Sequence, residues 1–252
     1  MGLICKGMSL KNLKEKGKQN LFVIPYFFTF SSAVFGLISV IKTFDGQFIT
    51  AAYFIMLAGI MDAFDGRIAR ALGSASCLGM ELDSLCDAIS FCFAPAILLY
   101  SWHFERLGLL GIAVLAFYLC CGLLRLAKFN ILSSTQPKNL GFFVGLPTTL
   151  AAFLLAQIVI NYNWISIRLL PFLKNPYSFA LFVFFIAFLM ISPVRFLSFK
   201  KINPRLSIVG GAILSILFIF SYLHAIPLFF LGIFSYVISC ILYFLWETVV
   251  CK

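Results

Sequence analysis

Long apolar runs alternate with short polar segments along almost the whole chain. A membrane-spanning helix needs about 20 consecutive, mainly apolar residues, and eight runs come close to that length. We therefore predict an all-α fold, a polytopic membrane helical bundle with about eight transmembrane helices. The predicted spans cover residues 21–41, 48–69, 80–101, 107–127, 144–163, 177–194, 206–223 and 226–246.

Composition supports the same class of protein. Of 252 residues, 62% are hydrophobic and only 11% are charged, which no soluble domain of this size matches. The net charge of +10 does not indicate a nucleic-acid-binding protein, because the basic residues form no single stripe interleaved with aromatic residues. The basic residues lie instead between the apolar runs. The apolar faces of the predicted helices are expected to contact membrane lipids.

The positions of the basic residues predict the orientation in the membrane. With the N-terminus in the cytoplasm, the cytoplasmic segments and their boundary residues hold 15 of the 19 Lys and Arg residues. Such an excess marks the cytoplasmic side, so both termini are predicted to lie there. Residues 1–20 are basic and too polar for a signal peptide. They form either a short helix on an anionic membrane surface or a basic tail.

The segment from residue 62 to residue 87 breaks the apolar pattern. With Glu81, its four aspartates make five of the nine acidic residues in the chain. Asp62 and Asp65 are three residues apart, and Asp83 and Asp87 are four apart. Each pair therefore lies on one face of its helix. The spacing predicts two helices that meet at a short loop and turn their carboxylates toward each other.

Bound cations would explain this cluster. One charged side chain at a bilayer centre costs about 2.5–3.5 kcal/mol, so four without counter-charges would cost on the order of 10–14 kcal/mol. Two divalent ions balance four carboxylates, and a ligand set of oxygen atoms alone suits Mg²⁺ or Mn²⁺. We therefore predict two ions of Mg²⁺ or Mn²⁺ bound by Asp62, Asp65, Asp83 and Asp87. The alternative is a set of polar helix ends that are solvated at the interface.

The polar and small residues of this segment follow the spacing D-x2-D-G-x2-A-R-x8-G-x3-D-x3-D. The fixed positions are occupied by Asp62, Asp65, Gly66, Ala69, Arg70, Gly79, Asp83 and Asp87. The pattern resembles, at every fixed position, the signature of the CDP-alcohol phosphatidyltransferases. The resemblance implies a membrane domain over residues 21–201 with a six-helix catalytic core. Residues 1–20 would be a basic cytoplasmic segment, and residues 202–252 would add two transmembrane helices.

The resemblance also implies roles for individual residues. The donor in that family is a CDP-linked lipid. The residues implied to bind CDP and its phosphates are Asp62, Asp65, Gly66, Ala69, Arg70 and Gly79. Asp87 corresponds to the general base, which takes a proton from the acceptor alcohol. The alcohol oxygen then attacks the lipid-bearing phosphorus, and CMP leaves.

Segments outside the signature point to the acceptor. Residues 121–130 (CGLLRLAKFN), 143–147 (FVGLP) and 192–200 (SPVRFLSFK) resemble the bacterial-type branch of the family, which transfers a phosphatidyl group from CDP-diacylglycerol to serine. This implies a multi-pass protein of a bacterial inner membrane, and the predicted orientation puts the active site on its cytoplasmic side. The family also implies a homodimer. Inositol phosphate, glycerol phosphate and choline stay open as alternative acceptors.

Three further residues are candidates for the acceptor pocket or for phosphate binding. Arg125 and Lys128 lie at the predicted cytoplasmic end of the fourth span, where they could pair with the serine carboxylate or the donor phosphates. The alternative is that they form an ordinary positively charged flank. Ser90 could line the acceptor pocket or simply pack between helices.

A cation transporter is the alternative from a different class, because acidic residues inside a membrane often mark ion paths. A transporter is expected to place its charges near the midplane on broken helices. The four aspartates are instead predicted near one membrane face, which favours the transferase.

Overall fold

Helices account for almost all of the chain that the computed structural model describes, which comprises residues 23–71, 77–135, 142–197 and 228–250. In chain order the helices are α1 (Val23–Phe44), α2 (Phe48–Ala71), α3 (77–107), α4 (Leu109–Thr135), α5 (Thr148–Ile160), α6 (Tyr162–Arg168), α7 (Pro176–Ile191) and α8 (Leu228–Val250). A short 3₁₀ turn, Pro171–Lys174, precedes α7.

Seven of the eight predicted spans coincide with helices, and the predicted span 206–223 lies outside the described residues. Helices α5 and α7 and part of α8 are apolar but shorter than a typical span. Among the described residues, the stretches long and apolar enough to cross a membrane are Pro25–Phe44, Phe48–Ile68, Leu78–Leu107 and Leu109–Leu132. The structure therefore supports a helical membrane protein. That the protein has eight transmembrane helices stays a prediction.

The fifth predicted span, 144–163, is divided in the structure. Helix α5 begins only at Thr148, because Pro147 before it adopts an extended conformation with φ −56° and ψ 136°. Asn161 leaves helical geometry at the other end, with φ −112° and ψ 26°, and α6 continues from Tyr162. The helix therefore begins four residues after the predicted residue 144, because Val144 belongs to a strand and Pro147 marks the start of the helix.

That strand belongs to a two-stranded antiparallel sheet, a small departure from the all-α prediction. Strand β1 (Phe142–Val144) pairs with β2 (Arg195–Leu197), with Val144 opposite Arg195. Gly145 follows β1 with φ +79°, and its N–H donates to the Val194 carbonyl at 2.9 Å. A side chain at this glycine would strain the backbone and clash with the Met190 carbonyl oxygen. The sheet thereby ties the start of α5 to the end of α7.

Small residues allow the helices to approach closely. A Cβ atom at Gly36 of α1 would lie 2.7 Å from the Ser90 Oγ atom of α3, and one at Gly122 of α4 would clash with the Cys92 sulfur. Small residues at such contacts are typical of helices that pack within membranes. They bring α1 and α4 against the middle of α3, which is thus the central helix of the bundle.

The outer faces of the helices remain apolar. Leu109, Leu181 and Phe27 expose 82%, 69% and 66% of their surfaces. Extended exposed apolar surface of this kind marks contact with lipid or protein. It fits the predicted contact of these faces with membrane lipids.

Candidate active site

Three aspartates from two helices meet where α2 ends and α3 begins. Asp62 lies on α2, and Asp83 and Asp87 lie one turn apart on α3. One carboxylate oxygen from each lies within 4.8 Å of the other two. All three side chains are half-buried. The four-residue spacing on α3 places both of its carboxylates on the face that contacts α2.

The geometry of the three carboxylates fits a small divalent cation. Mg²⁺ binds oxygen ligands at about 2.0–2.1 Å, so two oxygens on opposite sides of one ion lie about 4.1 Å apart. The separations of at most 4.8 Å therefore need only small side-chain rotations to reach ligand geometry. The donor set contains oxygen atoms alone, which is the set that Mg²⁺ and Mn²⁺ prefer.

Asp65 has a different position from the other three aspartates. It lies one turn beyond Asp62 on α2, with 5% of its surface exposed, and it interacts electrostatically with Asp62 and Asp87. It is not in the group whose oxygens converge. The structure thus brings together three of the four predicted ligands, and the role of Asp65 as a ligand stays a prediction.

The small and basic residues of the signature flank the aspartates. Gly66 on α2 and Gly79 in the first turn of α3 are half-buried. Ala69 and Arg70 lie in the last turn of α2, and their side chains are outside the described part of the structure. The assignment of these four residues to CDP and phosphate stays a prediction.

Arg125 extends from α4 toward the aspartates. Its Nη1 atom donates a hydrogen bond to Thr148 Oγ1 at 3.2 Å, and its guanidinium lies over the Phe129 ring, 5.5 Å from the ring centroid. It interacts electrostatically with Asp87 and Asp62. The guanidinium is therefore held on two sides, and it carries further N–H donors that can reach a bound anion.

Thr148 is a site residue that the sequence analysis missed. It is fully buried and is the first residue of α5, directly after Pro147. A hydroxyl residue after a proline at a helix start is a weak sequence signal, because such residues are common at helix N-termini. Only the contact with Arg125, 23 positions away in the sequence, reveals its place in the site.

The two other predicted acceptor residues differ in environment. Lys128 is exposed, whereas Ser90 is fully buried. The Ser90 hydroxyl donates to the backbone carbonyl of Ser32 on α1 at 3.0 Å. This bond supports the packing alternative for Ser90, and both acceptor assignments stay predictions.

A second polar group connects α3 to α4 beside the aspartates. Ser84 Oγ donates to Asn130 Oδ1 at 3.0 Å, and Asn130 Nδ2 donates to the Glu81 carboxylate at 3.4 Å. Asn130 belongs to the segment CGLLRLAKFN that carries part of the resemblance. These bonds fix the start of α3, which carries Asp83, against the end of α4.

The chain is similar to known proteins over most of its length. The family model described as "CDP-alcohol phosphatidyltransferase" matches residues 22–250. A Helicobacter pylori protein named CDP-diacylglycerol–serine O-phosphatidyltransferase is 34% identical over 203 residues, which cover 79% of this chain and 83% of the relative. A Bacillus subtilis protein of the same name is 34% identical over 178 residues, covering 71% and 92%.

A Saccharomyces cerevisiae protein of that name is 40% identical over 111 residues, covering 41% of this chain and 40% of the relative. The bacterial relatives are therefore similar over most of their length, and the yeast relative over a shorter part. The family match extends over nearly the whole chain, including the segment in which three aspartates converge. The chain belongs to the CDP-alcohol phosphatidyltransferase family.

Proposed function

We propose that the protein transfers the phosphatidyl group from CDP-diacylglycerol to L-serine, forming phosphatidylserine and releasing CMP, which is the activity of a CDP-diacylglycerol–serine O-phosphatidyltransferase. The observation that carries this proposal is the convergence of Asp62, Asp83 and Asp87 within the family signature. The names of the bacterial relatives support serine as the acceptor.

The reaction needs a proton acceptor and a site for the donor diphosphate. Asp62, Asp83 and Asp87, with Asp65, would hold two ions of Mg²⁺ or Mn²⁺. When bound, such ions neutralise phosphate oxygens and stabilise both the attacking and the leaving oxygen. Asp87 takes the proton of the serine hydroxyl, whose oxygen forms a bond to the lipid-bearing phosphorus. The phosphoanhydride bond breaks, and its electron pair leaves with CMP.

Arg125 is suited to bind the serine carboxylate. Its guanidinium lies between Thr148 and Phe129, near the proposed base Asp87. A planar guanidinium can bind a carboxylate with two parallel hydrogen bonds. A serine held in this way would present its hydroxyl, which is only two bonds from the carboxylate-bearing carbon, toward Asp87.

The predicted topology places this site where the substrates can reach it. If the N-terminus lies in the cytoplasm, the end of α2 and the start of α3 face the cytoplasm. Serine and metal ions are water-soluble and arrive from that side. CDP-diacylglycerol enters sideways from the inner leaflet of a bacterial inner membrane. A homodimer stays a prediction from the family.

Removal of divalent metal is expected to abolish turnover. Incubation of the purified protein with EDTA should stop CMP release, and Mg²⁺ or Mn²⁺ should restore it. Zn²⁺ should not, because the three convergent ligands are hard oxygen atoms rather than thiolates or imidazoles. CMP release is measured with CDP-diacylglycerol and serine in detergent. Full turnover in metal-free buffer contradicts the proposed metal site.

Arg125→Ala is expected to raise the KM for serine by about 10- to 100-fold, which corresponds to loss of a charge-assisted hydrogen bond of about 1.5–3 kcal/mol. Slow hydrolysis of the donor by water, if the parent shows it, should persist. Arg106→Ala is the matched control, because Arg106 is exposed in the turn that ends α3, far from the aspartates in sequence. Loss of donor binding with an unchanged serine KM would instead assign Arg125 to the phosphates.

The proposal as a whole is tested by incubating the purified protein with CDP-diacylglycerol, serine and Mg²⁺. We expect phosphatidylserine and CMP to form in equal amounts. A protein that binds Mg²⁺ but forms neither product overturns the proposed function.

A further inference from the structure

The central helix α3 changes its geometry directly after Asp87. Its α-helical segments, Cys77–Asp87 and Ala94–Leu99, are separated by a π-helical turn, Ala88–Phe93. A π turn adds one residue to the helix, and each residue of an α-helix advances by about 100° around the axis. The turn therefore sets the rotation of the aspartate-bearing segment relative to the apolar segment that follows.

Pro95, directly after this turn, disfavours regular α-helical geometry across it. The carbonyl of Phe91 would accept a hydrogen bond from the N–H of residue 95 in an α-helix. Proline has no N–H, and its ring clashes with the carbonyl four residues earlier. A wider turn relieves the clash, but the α-helical donor to the Phe91 carbonyl is lost.

Tyr118 supplies a donor from the neighbouring helix. Its hydroxyl, on α4, donates to the Phe91 carbonyl at 2.9 Å, and both residues are fully buried. In an apolar interior a carbonyl that loses its donor is costly, so this bond favours the π turn over competing geometries. The Ser90 hydroxyl bonds to α1 within the same turn, so two neighbouring helices hold it.

We propose that Tyr118 is a positioning residue for the metal site: its hydroxyl holds the π turn of α3 and thereby fixes Asp83 and Asp87 relative to Asp62. Tyr118 acts through the rotation of α3 and is assigned no contact with the substrates or the ion. The inference rests on the proposed function, because the three aspartates are taken as the ligands of the ion.

The test is Mn²⁺ binding to the purified protein in detergent, measured from the electron paramagnetic resonance signal of free Mn²⁺. Tyr118→Phe keeps the ring and removes only the hydroxyl. We expect the Kd for Mn²⁺ to rise by about 10-fold or more, the usual range for residues that orient metal ligands. The KM for serine should change by less than about threefold, because Arg125 and Thr148 are untouched. Tyr177→Phe is the matched control, since Tyr177 is 66% exposed on α7.

A second comparison tests whether the Tyr118 hydroxyl acts by replacing the donor that Pro95 lacks. It compares Pro95→Ala with the double variant Pro95→Ala/Tyr118→Phe, so it does not use the single variant Tyr118→Phe. Pro95→Ala restores an N–H that can serve the Phe91 carbonyl. In the Pro95→Ala protein, adding Tyr118→Phe should therefore change the Kd for Mn²⁺ by less than about threefold. A loss of 10-fold or more in this background would overturn the proposal, because the hydroxyl would then act through something other than the missing donor.

The outcomes separate this inference from the proposed function. If the parent does not bind Mn²⁺, or Asp83→Asn binds it as well as the parent, the metal site fails and the inference fails with it. If the parent binds Mn²⁺, Asp83→Asn does not, and Tyr118→Phe binds as tightly as the parent, only the role of Tyr118 is overturned.

Discussion

Asp83→Asn is expected to lower the rate of phosphatidyl transfer by more than about 100-fold, and Asp62→Asn is expected to do the same. Each change replaces an anionic ligand by a neutral amide and leaves one carboxylate fewer to balance two divalent ions. Both side chains belong to the group whose oxygens lie within 4.8 Å of one another. Defects in metal binding and in substrate positioning commonly reach this size.

The measurement is the initial rate of CMP release at saturating CDP-diacylglycerol, serine and Mg²⁺. Asp45→Asn is the matched control, because Asp45 lies in the turn between α1 and α2 and pairs with Lys42 at 3.1 Å, away from the site. This variant should keep its rate within about twofold of the parent, since exposed ion pairs contribute little. Activity of Asp62→Asn or Asp83→Asn within tenfold of the parent would contradict the metal site.

Asp87→Asn is expected to reduce the rate of the chemical step by at least about 100-fold, the usual contribution of a positioned base. An asparagine cannot accept the proton of the serine hydroxyl, although its amide oxygen can still face a cation. The affinity for CDP-diacylglycerol should therefore change by less than about tenfold, or 1.4 kcal/mol. Asp87→Asn should thus lower the rate of the chemical step far more than it lowers the affinity for CDP-diacylglycerol.

Single-turnover rates with preformed enzyme–donor complex measure the chemical step, and a direct titration with CDP-diacylglycerol measures donor affinity. Asp45→Asn again serves as the control in both assays. If donor affinity falls as steeply as the rate, Asp87 acts in donor binding, and its assignment as the base is wrong.

Local spacing in the sequence was sufficient to predict the helices and one part of the site. Asp83 and Asp87 are four residues apart, which places them on one helix face, and Asp62 comes from the helix before. Only five residues, 72–76, separate the two helices in the sequence, so the carboxylates can come together near that point. The spans were predicted from the length of apolar runs, which is also a local property of the sequence. Seven of the eight predicted spans coincide with helices.

Contacts between distant segments could not be predicted in this way. The bond between Arg125 and Thr148 and the bond between Tyr118 and Phe91 join residues more than 20 positions apart. They depend on how the helices rotate and approach, which periodicity does not determine. The pairing of residues 142–144 with residues 195–197 could not be predicted for the same reason. Both segments lie in stretches that resemble the family, but resemblance does not indicate which strands pair.

Transfer of a phosphatidyl group to serine is tested most directly by a competition between acceptors. The purified protein with Mg²⁺ receives CDP-diacylglycerol and equal concentrations of labelled serine, glycerol phosphate, inositol phosphate and choline, and labelled lipid and CMP are measured together. Asp83→Asn protein is the blank. We predict that phosphatidylserine forms in an amount equal to the CMP released, with little of any other lipid. A labelled lipid with another headgroup as the main product, or CMP release without any labelled lipid, would contradict the account.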